Sequence, residues 1–133
     1  MPRTINQKVT ISAGSRAVYD LLMDSRKHAR ATGAPATVSK RVGGLVKAGG
    51  GYITAVNLEL KPGKRIIQAW RGKNWPDGAW SIATFELKGM EGRRTKLSFT
   101  QEGVPGRHYA AISKGWRLHY WDRLNAYFEG KKR

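Results

Sequence analysis

The first part of the chain changes from a period of two to a helical period. Residues 4–11 alternate apolar and polar positions, which predicts a half-buried β-strand. Apolar residues then recur at positions 17, 18, 21 and 22, which is one face of a short helix. A second short helix is predicted to run through Ala31, because Gly33 and Pro35 beyond it end helices.

The middle of the chain alternates again and is divided by tight turns. Gly49–Gly51, Pro62-Gly63 and Pro76-Asp77-Gly78 supply the φ angles that such turns need. A phosphate-binding glycine loop at Gly49–Gly51 would require a helix after it, whereas the segment that follows alternates like a strand. The predicted strands are 36–42, 45–48, 52–60, 65–71, 79–87 and 95–102.

The last part of the chain has a helical period with an aromatic face. Its apolar positions recur every three or four residues, which predicts a helix of about six turns. The whole order predicts an α+β protein, in which an antiparallel curved sheet of about six to seven strands packs on a long C-terminal helix, with two short helices after the first strand. The apolar positions are Tyr109, Ile112, Trp116, Tyr120, Leu124 and Phe128.

The composition adds a strong positive charge to this picture. The chain has 25 Lys and Arg against nine Asp and Glu, a formal net charge of +16. Such a charge attracts acidic proteins, nucleic acid and other polyanions, although the basic residues are spread along the chain. There is no cysteine, and no apolar run approaches the roughly 18 residues of a membrane span. We therefore expect a single domain over residues 1–133, soluble and cytoplasmic.

Residues that commonly carry catalysis are sparse and poorly placed. The three histidines, His28, His108 and His119, lack metal-ligand spacing, so each is expected at the surface or at an interface. No serine lies in a GxSxG setting. Glu59 and Glu86 could face inward as a carboxylate pair, but we expect them to face solvent and to neutralise nearby Lys or Arg. The sequence thus predicts a non-enzymatic protein without metal or cofactor.

The concave side of the predicted sheet is the first candidate site. One helix does not fill the concave side of a coiled sheet, so the gap is either plugged by large side chains or left as a pocket. The sequence leaves both outcomes open. A pocket would hold an apolar or amphipathic small molecule, with Tyr hydroxyl and Trp N–H groups as polar contacts. Its predicted lining residues are Trp70, Trp80, Phe85, Tyr109, Ile112, Trp116, Tyr120 and Leu124.

The turn after residue 71 is the second candidate site. Four of the five tryptophans lie within residues 68–78 and 115–128. Trp75 and Pro76 open the tight turn and are expected to be exposed there. Arg71 is expected to stack on Trp75 or to grip a carboxylate. This turn would suit an acidic protein partner.

A set of short motifs lies in one order along almost the whole chain. The motifs are the helix at 18–22, Ala34-Pro35-Ala36-Thr37, Gly43-Gly44, Pro62, Trp70-Arg71, Trp75-Pro76-Asp77-Gly78, and Gly115-Trp116 through Asp122 and Leu124. In this order they resemble the START-like (SRPBCC) superfamily with its helix-grip fold. More narrowly, they resemble the family of the C-terminal domain of the activator of heat-shock protein 90 ATPase. The resemblance covers about residues 4–129.

The resemblance implies a helix-grip fold and leaves the function open. Some relatives bind apolar or amphipathic ligands between sheet and helix, and the activator accompanies a chaperone. The chain departs from the family in its glycine-rich hairpin at Gly49–Gly51 and in its charge. Three functions therefore follow, in decreasing order: small-molecule binding, interaction with an acidic or chaperone partner, and weak binding of nucleic acid.

Overall fold

Alternating inward and outward side chains build one antiparallel sheet, which curves around helices on its concave side. The computed structural model describes residues 1–131. The strands are β1 (Arg3–Ile11), β2 (Thr37–Val38), β3 (Leu45–Ala48), β4 (Ile53–Lys61), β5 (Arg65–Gly72), β6 (Ser81–Met90) and β7 (Arg94–Val104). The helices are α1 (Ser15–Met23), α2 (Ser25–Thr32), α3 (Tyr109–Gly115) and α4 (Asp122–Lys131). The seven strands lie in the order β1-β7-β6-β5-β4-β3-β2.

The C-terminal helical segment is divided by a wide turn, which the spacing of its apolar residues does not predict. Residues Trp116–Trp121 form a π-helical segment between α3 and α4, and we call it the π segment. Short 3₁₀ turns at Gly49–Gly51 and Gly106–His108 complete the fold. The predicted α+β helix-grip architecture is confirmed, whereas the single regular helix of about six turns is not.

The second strand is much shorter than the sequence predicts. Alternation indicated a strand over 36–42, but only Thr37–Val38 pairs with β3. The side-chain amide of Asn57 donates to the carbonyls of Ser39 and Arg41 at 2.8 and 3.0 Å. Because these carbonyls are satisfied by a buried side chain, the segment needs no neighbouring strand and turns instead.

The core lies between the concave face of the sheet and the C-terminal segment. Phe99 of β7 is almost completely buried, and its ring centroid lies 4.3 Å from that of Trp116 and 5.5 Å from that of Trp121. The centroids of Trp70 on β5 and Trp116 are 5.7 Å apart, so these rings face each other across the core. The aromatic stripe of the helix therefore fixes it to the middle strands of the sheet.

Candidate functional site

A pocket of about 420 Å³ lies between the sheet and the C-terminal segment and opens to solvent. Its volume falls within the roughly 300–1,000 Å³ of small-molecule sites. Residues of β4 and β5, the end of α2, the glycine turn, α3 and the π segment all contribute to it. The pocket is lined by Thr32, Ala34, Gly49, Tyr52, Ile53, Trp70, Ala111, Ile112, Gly115, Trp116, His119 and Tyr120.

Three aromatic residues form the inner wall of the pocket. Trp116 lies with its ring centroid 5.7 Å from Trp70 and 4.7 Å from Tyr120. Behind this wall the core holds a second void of about 20 Å³, which the same three residues also line. A void of this size accommodates about one water molecule. The wall therefore separates a ligand-sized pocket from the packed core.

The π segment places the wall residues. It carries both Trp116 and Tyr120 toward the pocket, and the next residue, Trp121, also points into the core and is 2% exposed. A regular helix turns about 100° per residue, so it rarely buries two consecutive large side chains on one face. The wider turn relieves this constraint. Single π turns inside helices occur frequently at functional sites.

Two buried glutamines hold the tryptophans of the π segment against the sheet. The indole N–H of Trp116 donates to Oε1 of Gln101 at 2.8 Å, and that of Trp121 donates to Oε1 of Gln7 at 2.7 Å. The Gln101 amide donates in turn to the hydroxyl of Ser81 at 2.9 Å. Each indole N–H is thus satisfied inside the core, which fixes the rotamer of the ring.

His28 supports the pocket from behind Tyr120 and is buried, whereas the sequence predicted a position at the surface or at an interface. It is 5% exposed, and its Nδ1 lies 3.0 Å from the carbonyl of Leu22. A carbonyl only accepts, so Nδ1 carries the proton and Nε2 accepts from the Tyr120 hydroxyl at 2.7 Å. Burial lowers the pKa of His28 and raises the pKa of Tyr120, so both groups are neutral near pH 7.

We expect the buried His28 to make the fold acid-sensitive. Its folded pKa lies below the unfolded value of about 6.5, so above that pH the ring is neutral in both states. As the pH falls through about 6.5, the unfolded chain binds a proton that the folded chain does not. Stability then drops by up to about 1.4 kcal/mol per pH unit, until the folded pKa is reached.

Urea unfolding between about pH 5 and pH 7.5, on the wild type and on His28→Gln, measures this dependence. The glutamine variant should have the shallower slope, whatever its absolute stability. Equal slopes in the two proteins would show that His28 is not the group that titrates.

The structure brings four of the eight predicted lining residues into the pocket: Trp70, Ile112, Trp116 and Tyr120. Phe85 borders only the inner void. Leu124 is fully buried in the core, on α4 beyond the pocket. Tyr109 is half-buried and stacks under the Arg3 guanidinium, 3.8 Å from its ring centroid. These three residues therefore support the fold rather than the lining.

The prediction that Trp80 lines the pocket is wrong. It is 43% exposed and absent from the pocket lining, because Ser81 takes the inward position and alternation turns its neighbour outward. The Arg71 guanidinium lies 5.8 Å from the Trp80 ring centroid, and it donates to the carbonyl of Trp75 at 3.0 Å. Arg71 thus stacks toward Trp80, where Trp75 was expected.

The exposure predicted for Trp75 is also wrong, since it is 4% exposed. Its ring packs 5.4 Å from Trp70 and is stacked 6.2 Å from His108. Gly72 makes room for this arrangement, because a Cβ atom there would lie 2.8 Å from the Trp75 indole nitrogen. Only Pro76 of the two turn residues is exposed.

Sequence reasoning missed the small residues that create the space. Ala111 and Gly115 each precede an inward-facing residue of the helix by one position, and both line the pocket. Their spacing of four residues places them side by side on one helix face. This pair of small residues beside an aromatic stripe was a usable signal. Gly49 and Tyr52 were read only as parts of a turn and a strand.

The lining carries few of the side chains that commonly perform catalysis. Its twelve residues include no Asp, Glu, Lys, Arg, Cys or Ser. The Tyr52 hydroxyl already donates to Asn74 at 2.9 Å. Glu59 and Glu86 lie away from the pocket, and both pair with Arg65 at 3.1 and 2.7 Å. Among residues 1–131, no three His, Asp or Glu side chains come together as a metal site.

A curved antiparallel sheet that holds a C-terminal helix over a pocket defines the START-like class of helix-grip proteins. The family model for Activator of Hsp90 ATPase homolog 1-like protein matches residues 12–129. The chain belongs to this family.

Curated relatives carry matching names and are much longer. The chain is 28% identical over 127 residues to the activator of 90 kDa heat shock protein ATPase homolog of Dictyostelium discoideum, covering 95% of this chain and 33% of that protein. It is 26% identical over 124 residues to homolog 1 of Homo sapiens, covering 93% and 36%. The chain thus spans about a third of the length of these relatives.

Solved structures agree on the fold. An HSP90 activator from Plasmodium falciparum superposes with a TM-score of 0.88 at 19% identity, over 95% of this chain and 96% of that one. The Aha1 dimer from Colwellia psychrerythraea gives a TM-score of 0.79 at 21% identity, over 93% of this chain and 95% of that one.

Within residues 1–131, no helix is both long and apolar enough to cross a membrane.

Proposed function

We propose that this chain is a non-enzymatic binding domain that holds an apolar or amphipathic small molecule in the pocket between sheet and helix. The observation that carries the proposal is the pocket of about 420 Å³ with its aromatic wall of Trp70, Trp116 and Tyr120. START-like folds use the same place, between sheet and helix, to enclose ligands in some relatives. The ligand's apolar part would lie against this wall.

The polarity of the lining defines the ligand further. The hydroxyls of Tyr52 and Tyr120 are already engaged with Asn74 and His28, so they offer few free donors to a guest. Affinity would come from burial of apolar surface, about 25 cal/mol per Å² before ordering costs. His119 is the exposed polar lining residue, and a polar end of the ligand would point toward it.

Gly115 offers a test that leaves the core untouched. A Cβ atom at this position meets only the His119 ring, at 3.8 Å, and its φ and ψ of −60° and −39° suit any residue. Gly115→Leu should fill the pocket and weaken binding of the neutral probe N-phenyl-1-naphthylamine by at least about tenfold. Removing a helical glycine should also stabilise the fold slightly.

The matched control is Gly115→Ala, which gives the same backbone benefit with a much smaller side chain. It should bind the probe nearly as the wild type does. Fluorescence titration of the three proteins measures the affinities, and circular dichroism confirms folding. Equal affinity in wild type and Gly115→Leu would exclude this pocket as the binding site.

A second candidate function is that of a protein-interaction module that accompanies a chaperone. Family membership and the names of the relatives favour it, as does the formal charge of +16, which suits an acidic partner. Pull-down of purified 90 kDa heat shock protein from the same cells tests this role. Recovery no greater than with an unrelated protein of matched charge would count against it.

A further inference from the structure

The outer face of the sheet carries a row of apolar side chains, exposed at its two ends and half-buried in its middle. Leu45 pairs in register with Val56, Val56 with Ala69, and Ala69 with Ile82, so one row crosses four neighbouring strands. All four alternate with buried residues, so they point away from the core. We call them the apolar row. With strands about 4.8 Å apart, it is roughly 15 Å long.

The apolar row is unusual for a solvated sheet face. Antiparallel sheets with one wet face normally present polar residues there. Here Leu45 is 51% exposed and Ile82 is 39% exposed. Leu58, in the irregular part of β4, is a further exposed apolar residue near the row. A contiguous exposed apolar patch of this kind marks an interaction site more often than scattered apolar residues do.

The adjacent row on the same face is cationic. Two residues away on each of three strands lie Lys47, Thr54 and Arg71, which pair in register and form the cationic row. Lys47 donates to the Thr54 hydroxyl at 3.0 Å, and Arg71 lies beside the exposed ring of Trp80. Among the described ion pairs, neither cation is joined to a carboxylate.

The carboxylates described on this face lie outside the cationic row. Glu59 and Glu86 are both held by Arg65, at 3.1 and 2.7 Å. Glu102 on β7 pairs with Ile82 and ends the apolar row on that side. The face thus combines an aliphatic strip with an unneutralised cationic strip, about 7 Å apart.

We propose that this face docks an acidic segment of a partner protein, one that presents carboxylates together with apolar side chains. The apolar row buries the partner's apolar side chains, and Lys47 and Arg71 pair with its carboxylates. A second copy of the chain would bring like charges together at a formal +16 each. Nucleic acid would prefer several stacked aromatic rings, whereas Trp80 beside Arg71 is a single exposed ring and the apolar row is aliphatic. This face would be the surface through which a chaperone-accessory domain meets its partner. The proposal rests on that proposed role only because both require a protein partner.

Short synthetic peptides test the proposal without knowledge of the partner. The probe is a peptide of alternating Glu and Leu, and the comparisons are an alternating Glu-Ser peptide and oligothymidylate. Amide chemical-shift mapping should place the Glu-Leu peptide on Val56, Ala69 and Ile82. Shifts confined to Ile112 and Trp116 would instead place it in the pocket and overturn the proposal. Equal affinity for the Glu-Ser peptide or for oligothymidylate would reduce the face to a general polyanion surface.

A double variant checks the role of the apolar row. Val56→Thr with Ile82→Thr keeps β-branched residues on the strands and removes apolar surface. It should weaken Glu-Leu binding by at least about tenfold, and the control Lys96→Thr on the same face should change it about twofold or less. N-phenyl-1-naphthylamine binding separates the two sites. If the double variant binds that probe normally but also keeps its peptide affinity, the docking proposal fails and the pocket proposal stands.

Sedimentation equilibrium of the wild type tests whether a second copy of the chain occupies this face. A dimer that the double Thr variant dissociates would assign the face to a second copy and overturn the proposal. A monomer in both proteins is the expected result.

Discussion

Replacing Trp116 by alanine should lower the free energy of unfolding by about 3–5 kcal/mol and weaken probe binding at the same time. This ring is the centre of the aromatic core, and it is also the wall between the pocket of about 420 Å³ and the inner void of about 20 Å³. Its removal would join the two spaces and take away the surface on which we expect the probe to rest. Its ring neighbours are Trp70, Phe85, Phe99, Tyr120 and Trp121.

Urea unfolding and N-phenyl-1-naphthylamine titration on the folded variant measure the two effects separately. Trp116→Phe is the matched control, because it keeps an aromatic ring in the wall and should retain most of the probe affinity. If folded Trp116→Ala binds the probe as tightly as the wild type, the ligand does not rest on this wall.

Replacing Gln101 by leucine should cost about 2–4 kcal/mol, although leucine is the more apolar side chain. Gln101 is fully buried, and it accepts from the Trp116 indole while donating to Ser81. Leucine would leave the Trp116 N–H without a partner in the core, where an unsatisfied donor costs about 1–3 kcal/mol. The lost bond to Ser81 adds to this.

A double-mutant cycle with Trp116→Phe separates this cause from simple misfit. Phenylalanine has no N–H to leave unsatisfied, so Gln101→Leu should cost less in that background than in the wild type. The free energy of unfolding of the four proteins gives the coupling directly. Additive effects would mean that the hydrogen bond between Gln101 and Trp116 contributes nothing to stability.

Much of the architecture followed from periodicity, because apolar alternation and helical spacing both report burial. The strands over 45–48, 52–60, 65–71, 79–87 and 95–102 all appear within a few residues of their predicted bounds. The false extension over 36–42 arose because alternation cannot reveal that a distant side chain, Asn57, would satisfy the carbonyls of that segment. Local pattern determines elements, and long-range hydrogen bonds determine where they stop.

The pocket was harder to predict, because a cavity is defined by what is missing. The large side chains Trp70, Trp116 and Tyr120 were identified from their period, but Ala111 and Gly115 set the space in front of them. The two core glutamines were also hidden. Gln7 and Gln101 occupy inward positions of their strands, and a polar residue at such a position was the signal for a buried partner.

The burial of Trp75 and the exposure of Trp80 were predicted wrongly for a similar reason, because the sequence does not show the space around a side chain. Trp75 sits in a turn sequence typical of exposed loops, yet Gly72 lets its ring fold back against Trp70. Trp80 precedes a buried serine, so its size suggested the core while strand alternation placed it outside. Residue type alone therefore predicts the wrong burial for these two side chains, because strand register and the space beside the backbone determine whether each one faces the core.

The π segment divides the C-terminal helix into two parts with separate angular phases. The part before it, with Ala111 and Gly115, faces the pocket. The part after it is tied to β1, since Asn125 accepts from the backbone N–H of Ser12 at 2.9 Å and donates to the carbonyl of Thr10 at 3.0 Å. A wide turn between them breaks the fixed angular relation that a continuous α-helix would impose on the two parts. The pocket-facing half should therefore tolerate substitutions while the anchoring half holds its alignment with the first strand.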